Sequence, residues 1–168
     1  MSSYVLPQVI GARRAMKTVT FYIMPEADED AHAEFTAANV LPAHHQLACK
    51  LASDLYQQAQ RVYIHTHDEA QANAIDEYLW QLDASSFVPH NLQGEGPRNG
   101  APVEIGFQPP RQRYQVLINL HEQTPQFAVN FNQVIDFVPH QDGLKQQARE
   151  RYKHYRQTGL QMLTVNAE

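Results

Sequence analysis

The chain has 168 residues, of which 43% are hydrophobic and 18% charged, and its formal net charge is −5 at pH 7. This length suits one domain with a buried core, and no segment approaches the roughly 20 apolar residues that a membrane-spanning helix needs. The acidic balance excludes a protein that coats nucleic acid through its overall charge, so any anion-binding site must be local.

The N-terminal part of the chain divides into a leader and the start of a folded domain. Residues 1–15 have no clear periodicity and are predicted to be a flexible leader, and they lack the pattern of a secretory signal. A single α/β domain is predicted over 16–168, beginning with a strand within TVTFYIM. The acidic and then alanine-rich segment from Pro25 to Pro42 is predicted to be a surface excursion with a short helix.

Two helices and a strand are predicted over the next part of the chain. The first helix, over 43–60, carries leucines at helical spacing on one face and contains the only cysteine, Cys49. A lone cysteine offers no disulfide, so it favours a reducing cytoplasmic compartment and a packed structural thiol. The strand follows at 61–66, and the second helix, at 67–82, has acids in its first turn.

The segment over 85–102, SSFVPHNLQGEGPRNGAP, is rich in glycine and proline and is predicted to be a long loop. Its GEGPRNG sequence could bring backbone N–H groups close to a phosphate. However, it lacks a terminal Gly-Lys-Ser/Thr and leads into a strand instead of a helix. Nucleotide binding is therefore the less favoured interpretation of this loop.

The C-terminal part adds strands over 103–107, 114–120 and 133–138, and a last helix over 143–158. About five strands then alternate with helices along the chain. This order predicts an α/β fold of Rossmann-like type, with three layers and a mainly parallel sheet.

The sequence does not present the usual patterns of a metal site or a hydrolase. Among its nine histidines, His44 and His45 are adjacent on a helix and point to different sides. His65 and His67 share one face of a strand, but no cysteine or carboxylate follows at ligand spacing. A Gly-x-Ser-x-Gly motif is also missing from the sequence. We therefore predict neither a catalytic group, a metal nor a cofactor.

Aromatic residues cluster near the end of the second helix. Successive helical residues are about 100° apart, so Tyr78, Leu79 and Trp80 cannot all face one core. Phe87 follows closely in the long loop. Exposed aromatic residues near a helix end are typical of protein interfaces, although a core that wraps around the loop could also bury them.

The last helix carries a basic stripe, defined as Lys145, Arg149, Lys153 and Arg156, at intervals of four, four and three residues. Tyr152 lies beside this stripe, whereas Arg151 falls on the opposite side. Cations beside an aromatic ring can hold a carboxylate or an acidic peptide. A solvated helix surface would explain the same pattern equally well.

Two long stretches, SFVPHNLQGEGPRNGAPVEI and DFVPHQDGLKQQARERYKHYR, resemble the chi subunit family of bacterial DNA polymerase III. The resemblance runs from about Lys17 to Leu160 and includes DEYLW before the first stretch. The leader before Met16 and the segment between Met24 and Pro42 depart from the family pattern.

This resemblance implies a Rossmann-like adaptor without catalytic activity, which pairs with the psi subunit and reaches the clamp-loader complex through it. It also implies binding of the acidic C-terminal tail of single-stranded-DNA-binding protein, with no need for direct contact with DNA. Carried over by motif, the psi-binding residues are Trp80 and Phe87. The tail-binding residues are Val138, Lys145, Arg149, Tyr152, Lys153 and Arg156. The alternative is a small nucleotide-binding enzyme that uses the Rossmann-like sheet and the glycine loop.

Overall fold

The computed structural model describes residues 17–26, 41–82 and 87–167. The predicted flexible leader and most of the acidic excursion lie outside the described residues. Within them the strands are β1 (Thr18–Ile23), β2 (Val62–His65), β3 (His90–Leu92), β4 (Val103–Gly106), β5 (Val116–Asn119), β6 (Gln133–Val138) and β7 (Gln161–Asn166). The helices are α1 (Ala43–Gln57), α2 (Glu69–Gln81) and α3 (Asp142–Gln157), and a short 3-10 helix covers Gln126–Asn130.

The strands form one sheet in the order β3-β4-β2-β5-β6-β1-β7, and every pairing between neighbours is parallel. All residues of the central strands β2, β4 and β5 are buried, as expected for a parallel sheet covered by helices on both faces. The prediction of a mainly parallel, Rossmann-like α/β fold is confirmed.

The predicted number of about five strands is wrong, because the described residues form a seven-stranded sheet. The first additional strand, β3, lies inside the segment predicted to be a loop throughout. It has only three half-buried residues, and its HNL sequence lacks a β-branched side chain. The second, β7, follows the last predicted helix as an edge strand of exposed and half-buried residues. Neither strand has the buried β-branched run that identifies a central strand.

Helices cover the two faces of the sheet. On one face α1 and α2 pack on the larger apolar cluster, into which α1 inserts the predicted stripe of Leu47, Leu51 and Leu55. On the other face α3 packs on a second cluster through Ala148 and Tyr155. Helix α2 contacts β3 and β4, whereas α3 contacts β6 and β7, so the two helices lie on opposite faces and toward opposite edges of the sheet. None of the described helices is long and apolar enough to cross a membrane.

Two candidate protein-binding surfaces

Helix α2 fixes the position of Trp80. The Asp68 carboxylate caps the helix by accepting a hydrogen bond from the backbone N–H of Gln71 at 2.8 Å. The helix then buries one face through residues that include Ile75 and Leu79. Trp80 is one residue beyond Leu79, about 100° further around the helix, and its side chain therefore turns outward. It is 59% exposed, which confirms that an aromatic residue at this helix end escapes the core.

Phe87 lies next to Trp80, and the two rings form an aromatic patch. Phe87 is 53% exposed, and the ring centroids of the pair are 5.8 Å apart. The structure thus brings together the two residues assigned to one interface from the sequence. Two neighbouring exposed aromatic rings next to a packed helix provide the kind of anchor that dominates protein interfaces.

A histidine whose side chain is fully shielded from solvent lies beneath the aromatic patch. The ring centroid of His90 is 4.7 Å from that of Trp80. Its Nδ1 is 2.7 Å from the carbonyl oxygen of Val88, and its Nε2 is 3.3 Å from Oδ1 of Asp76. Burial raises the pKa of the Asp76 carboxyl, an effect that His90 opposes. The Asp76 carboxyl is therefore partly shielded, with its side chain 22% exposed.

The basic stripe lies on the outer side of α3. Arg149, Lys153 and Arg156 are exposed and Lys145 is half-buried. Lys153 lies 4.0 Å from Glu150, and both side chains are mostly exposed. Among the described residues, no carboxylate is within ion-pair distance of the other three cations. The stripe therefore offers positive charge that the described part of the chain leaves largely uncompensated.

An apolar surface adjoins the basic stripe. The ring of Tyr152 packs against that of Phe21 on β1, with 5.4 Å between centroids. Val138, at the end of β6, and Met162 on β7 are half-buried against the same cluster. Cations next to half-buried apolar groups can bind a segment that carries both carboxylates and a hydrophobic side chain.

Arg151 lies on the same helix but faces inward. Its guanidinium donates hydrogen bonds to both carboxylate oxygens of Asp136 at 3.0–3.2 Å and to the carbonyl oxygens of Glu122 and Phe137. The hydroxyl of Tyr155 donates to the same carboxylate at 2.9 Å. Burial, followed by the Asp136 charge, raises the pKa of Tyr155. This network fixes α3 on the sheet, and thereby the side on which the basic stripe is displayed.

The prediction that His65 and His67 share a strand face is wrong, because β2 ends at the buried His65 and His67 is exposed beyond its end. The ring centroids of His65 and His121 are 5.2 Å apart, and those of His67 and His121 are 5.1 Å apart. Within the described ranges, no group of three metal-ligating side chains is arranged to hold an ion. Cys49 is fully buried, which raises its thiol pKa to about 12 and confirms the expected packed cysteine.

The glycine loop borders an open cleft of about 490 Å³ beyond the carboxyl ends of β3 and β4. The lining includes two arginines, Arg98 and Arg111, and also three carboxylates, so it is not a clear anion site. A Cβ atom on Gly96 would come within 2.5 Å of the side chain of Asn91. That side chain accepts a hydrogen bond from the N–H of Ala101 at 2.7 Å. The glycine is thus required by packing within the loop.

Comparison with known proteins assigns the chain to a family. Residues 16–163 match the family model described as DNA polymerase III chi subunit, HolC. The chain belongs to the DNA polymerase III chi family. Members of this family are accessory, non-catalytic subunits of a replicative polymerase, which decides against the alternative of a small nucleotide-binding enzyme.

Curated chi-family relatives match along most of their length. The chain is 47% identical to the DNA polymerase III subunit chi of Escherichia coli K12, over 89% of this chain and 98% of the relative. It is 43% identical to the Haemophilus influenzae subunit, over 89% and 97% of the two chains. For the Pseudomonas aeruginosa subunit the identity is 35%, over 86% and 92%. The resemblance inferred from the two sequence stretches is confirmed.

A solved structure outside the family shares the fold. The crystal structure of T4 UvsW matches 89% of this chain and 41% of the other chain with a TM-score of 0.55. The two sequences are only 13% identical, so this likeness supports only the fold of the chi-family chain.

Sequence patterns did not find all of the residues that shape these surfaces. The spacing along α3 separated the basic stripe from Arg151 correctly, because that separation depends only on helix periodicity. The contacts of His90 with Asp76 and of Phe21 with Tyr152 join distant parts of the chain. No local signal indicates such contacts, although the SFVPH sequence around His90 is part of the resemblance to the family.

Proposed function

We propose that this chi-family chain is a replication adaptor that binds two protein partners at once. In this proposal the aromatic patch docks the psi subunit, which connects the chain to the clamp-loader complex. The basic stripe, with Tyr152 and Val138, holds the acidic C-terminal tail of single-stranded-DNA-binding protein. The observation that carries the proposal is the placement of the two surfaces on opposite faces of one sheet, toward opposite edges.

The aromatic patch supports docking of psi through its exposure and its firm base. Trp80 and Phe87 are both more than half exposed, so a partner could still bury a large apolar area on them. Leu79 anchors the helix beneath them in the larger core cluster. Because the rings are already held together, a partner would lose little conformational entropy in ordering them.

The basic stripe supports binding of an acidic peptide that ends in a free carboxylate. Guanidinium and ammonium groups form charge-assisted hydrogen bonds with carboxylates, which are stronger than bonds between neutral groups. The half-buried Val138 and Tyr152 would accept a hydrophobic side chain of the same peptide. The charge of the whole chain is negative, so the attraction must come from a local group of cations, and this helix provides one.

Simultaneous binding is geometrically possible. Strand β3, next to the aromatic patch, is four positions from β6 in the sheet, and α3 packs on β6 and β7. At about 4.8 Å per strand, the two surfaces are roughly 20 Å apart across the sheet. A chain that holds psi and a tail together would raise the effective concentration of the polymerase near coated single strands, in the bacterial cytoplasm.

A three-component binding experiment tests the proposal. The chain is titrated with purified psi, with a labelled tail peptide, and with both together, and the stoichiometry is measured by analytical ultracentrifugation. We expect a ternary complex, loss of psi alone from Trp80→Ala, and loss of the peptide alone from Arg149→Ala. Mutually exclusive binding of psi and peptide would refute the adaptor arrangement. Failure of wild type to bind either partner would refute the assignment of both surfaces.

A further inference from the structure

A large apolar side chain is exposed at the carboxyl end of an interior strand. Strand β1 lies between β6 and β7 in the sheet, and its residues from Val19 to Tyr22 are buried. Ile23 follows them and is 38% exposed. An interior strand of a parallel sheet covered by helices normally buries such a side chain. The end of β1 therefore presents an apolar position that the helices leave open.

Strand alternation and sheet register place Ile23 on the face that α3 covers. Successive side chains of a strand point to opposite faces, and Val19 and Phe21 belong to the second apolar cluster, beneath α3. Ile23 continues their row. It pairs in register with Val138 of β6, which packs against the same cluster. The two side chains are therefore neighbours on adjacent strands, about 4.8 Å apart, and we call Ile23 and Val138 the apolar floor.

Backbone hydrogen bonds hold the apolar floor in place from both sides. The N–H of Met24 donates to the carbonyl oxygen of Val138 at 2.9 Å, and the N–H of Ala167 donates to the carbonyl oxygen of Ile23 at 2.9 Å. Asn166 pairs with Ile23 on the β7 side, where its exposed polar side chain ends the apolar surface. The floor is thus preformed, so a ligand would lose little entropy in ordering it.

The cations of the basic stripe reach the level of the apolar floor. Helix α3 begins soon after β6 and ends just before β7, so its early residues lie at the carboxyl edge of the sheet. Tyr152 contacts Phe21, which gives a common starting level. From there Arg149 is roughly 4.5 Å nearer to that edge along the helix, and Ile23 is roughly 6.6 Å nearer along the strand. Lys145 is about one helical turn beyond Arg149, so Ile23 lies between the levels of the two cations.

We propose that Ile23 determines the specificity of the tail site, because the apolar floor receives the side chain of the peptide's C-terminal residue. This inference rests on the proposed binding of the acidic tail. A terminal carboxylate held by Arg149 or Lys145 brings the side chain of the same residue to the level of Ile23. An aromatic ring fits this place best, because its face covers both side chains of the floor while its edge approaches the ring of Tyr152.

A series of labelled acidic peptides that differ only in their last residue tests the proposal. That residue is Ala, Leu or Phe with a free carboxylate, and the affinity of wild type should rise in this order. Ile23→Ala should weaken the Phe-ended peptide about fivefold, the scale for roughly 40 Å² of lost apolar contact, and leave the Ala-ended peptide unaffected.

Val129→Ala is the matched control for Ile23→Ala. It removes a similarly exposed apolar side chain, 40% exposed, at the other end of β1, where the carbonyl oxygen of Val129 accepts a hydrogen bond from Lys17. This variant should bind all three peptides like wild type. Ile23→Thr keeps a β-branched side chain suited to a strand and should show the same selective loss, so the test does not depend on the folding of Ile23→Ala alone.

Salt separates the apolar contact from the charged ones. The effect of Ile23→Ala should persist at high salt, whereas that of Arg149→Ala should shrink, because only exposed charges are screened. Equal losses for the Ala-ended and Phe-ended peptides, or no loss for either, would overturn the role of Ile23 while the binding of wild type leaves the proposed function standing. If wild type binds none of the peptides, the proposed function fails, and this inference fails with it.

Discussion

Reversal of one charge in the basic stripe provides a quantitative test of tail binding. Arg149 is exposed and forms no ion pair with the described residues. Two unit charges about 4 Å apart interact by about 1 kcal/mol in water, which is the appropriate limit for an exposed side chain. Arg149→Ala should therefore weaken binding of the tail by about 1 kcal/mol, or about fivefold. Arg149→Glu adds a repulsion of similar size, so the total loss should be about 2 kcal/mol, or about 30-fold.

The assay is fluorescence titration of a labelled tail peptide at low and high salt, with an amidated peptide as a control for the terminal carboxylate. Binding should weaken as the salt concentration rises, because exposed charges are screened over about 10 Å at 0.1 M. Arg111→Glu is the matched control, since it makes the same charge change in an exposed loop beside the glycine-loop cleft. Both substitutions should alter the free energy of unfolding by no more than about 0.5 kcal/mol. Equal losses in Arg149→Glu and Arg111→Glu, or equal affinity for the free and amidated peptides, would refute a local carboxylate site.

Three further predictions concern the remaining parts of the two surfaces and the sheet. Phe87→Ala should leave circular dichroism unchanged and weaken psi binding by about 2 kcal/mol, the scale of an interface hot spot; unfolding would mean that the ring belongs to the core. Arg151→Met should lower the free energy of unfolding in urea by about 3–5 kcal/mol, because it leaves the Asp136 carboxylate buried without its cation; a loss below about 1 kcal/mol would contradict this role. Burial, and then His121, lowers the pKa of His65 from 6.5 to about 4, so the unfolded chain binds a proton at higher pH than the folded chain. The stability contributed by neutral His65 is complete above pH 6.5 and should fall by up to about 3 kcal/mol toward pH 4, and His65→Asn should show a shallower loss in urea unfolding across this range.

Two of the arginines of α3 illustrate how much sequence periodicity can predict. Arg149 and Arg151 are two residues apart and therefore about 200° apart on the helix, so the pattern alone places them on different sides. The sequence pattern does not reveal that Arg151 pairs with Asp136. Asp136 belongs to β6, so this ion pair depends on how α3 packs on the sheet. The side that faces outward could be predicted, but not the network that fixes it.

The strands of the sheet also divide into those that the sequence predicts and those that it does not. Strands β2, β4 and β5 are buried on both faces, and burial selects the apolar β-branched residues that make them recognisable. Strands β3 and β7 are the two edges, where one side of each strand has no neighbour and polar residues are tolerated. The edges are therefore hard to predict from sequence. One of them also carries His90, whose relation to Trp80 follows only once β3 is known to pair with β4.

The position of each surface explains why one small domain could serve two partners. Each surface includes exposed side chains on a helix whose opposite side packs inward: Trp80 lies beside the buried Leu79, and Arg149 and Lys153 lie beside the buried Arg151. Substitution of an outward residue can then change binding with little effect on folding, while substitution of an inward neighbour affects folding first. Helices α2 and α3 lie on opposite faces of the sheet and toward opposite edges, and sites separated by more than about 10 Å usually contribute independently to the free energy. Independent sites are what an adaptor requires, since a partner bound at one surface must not release the partner at the other.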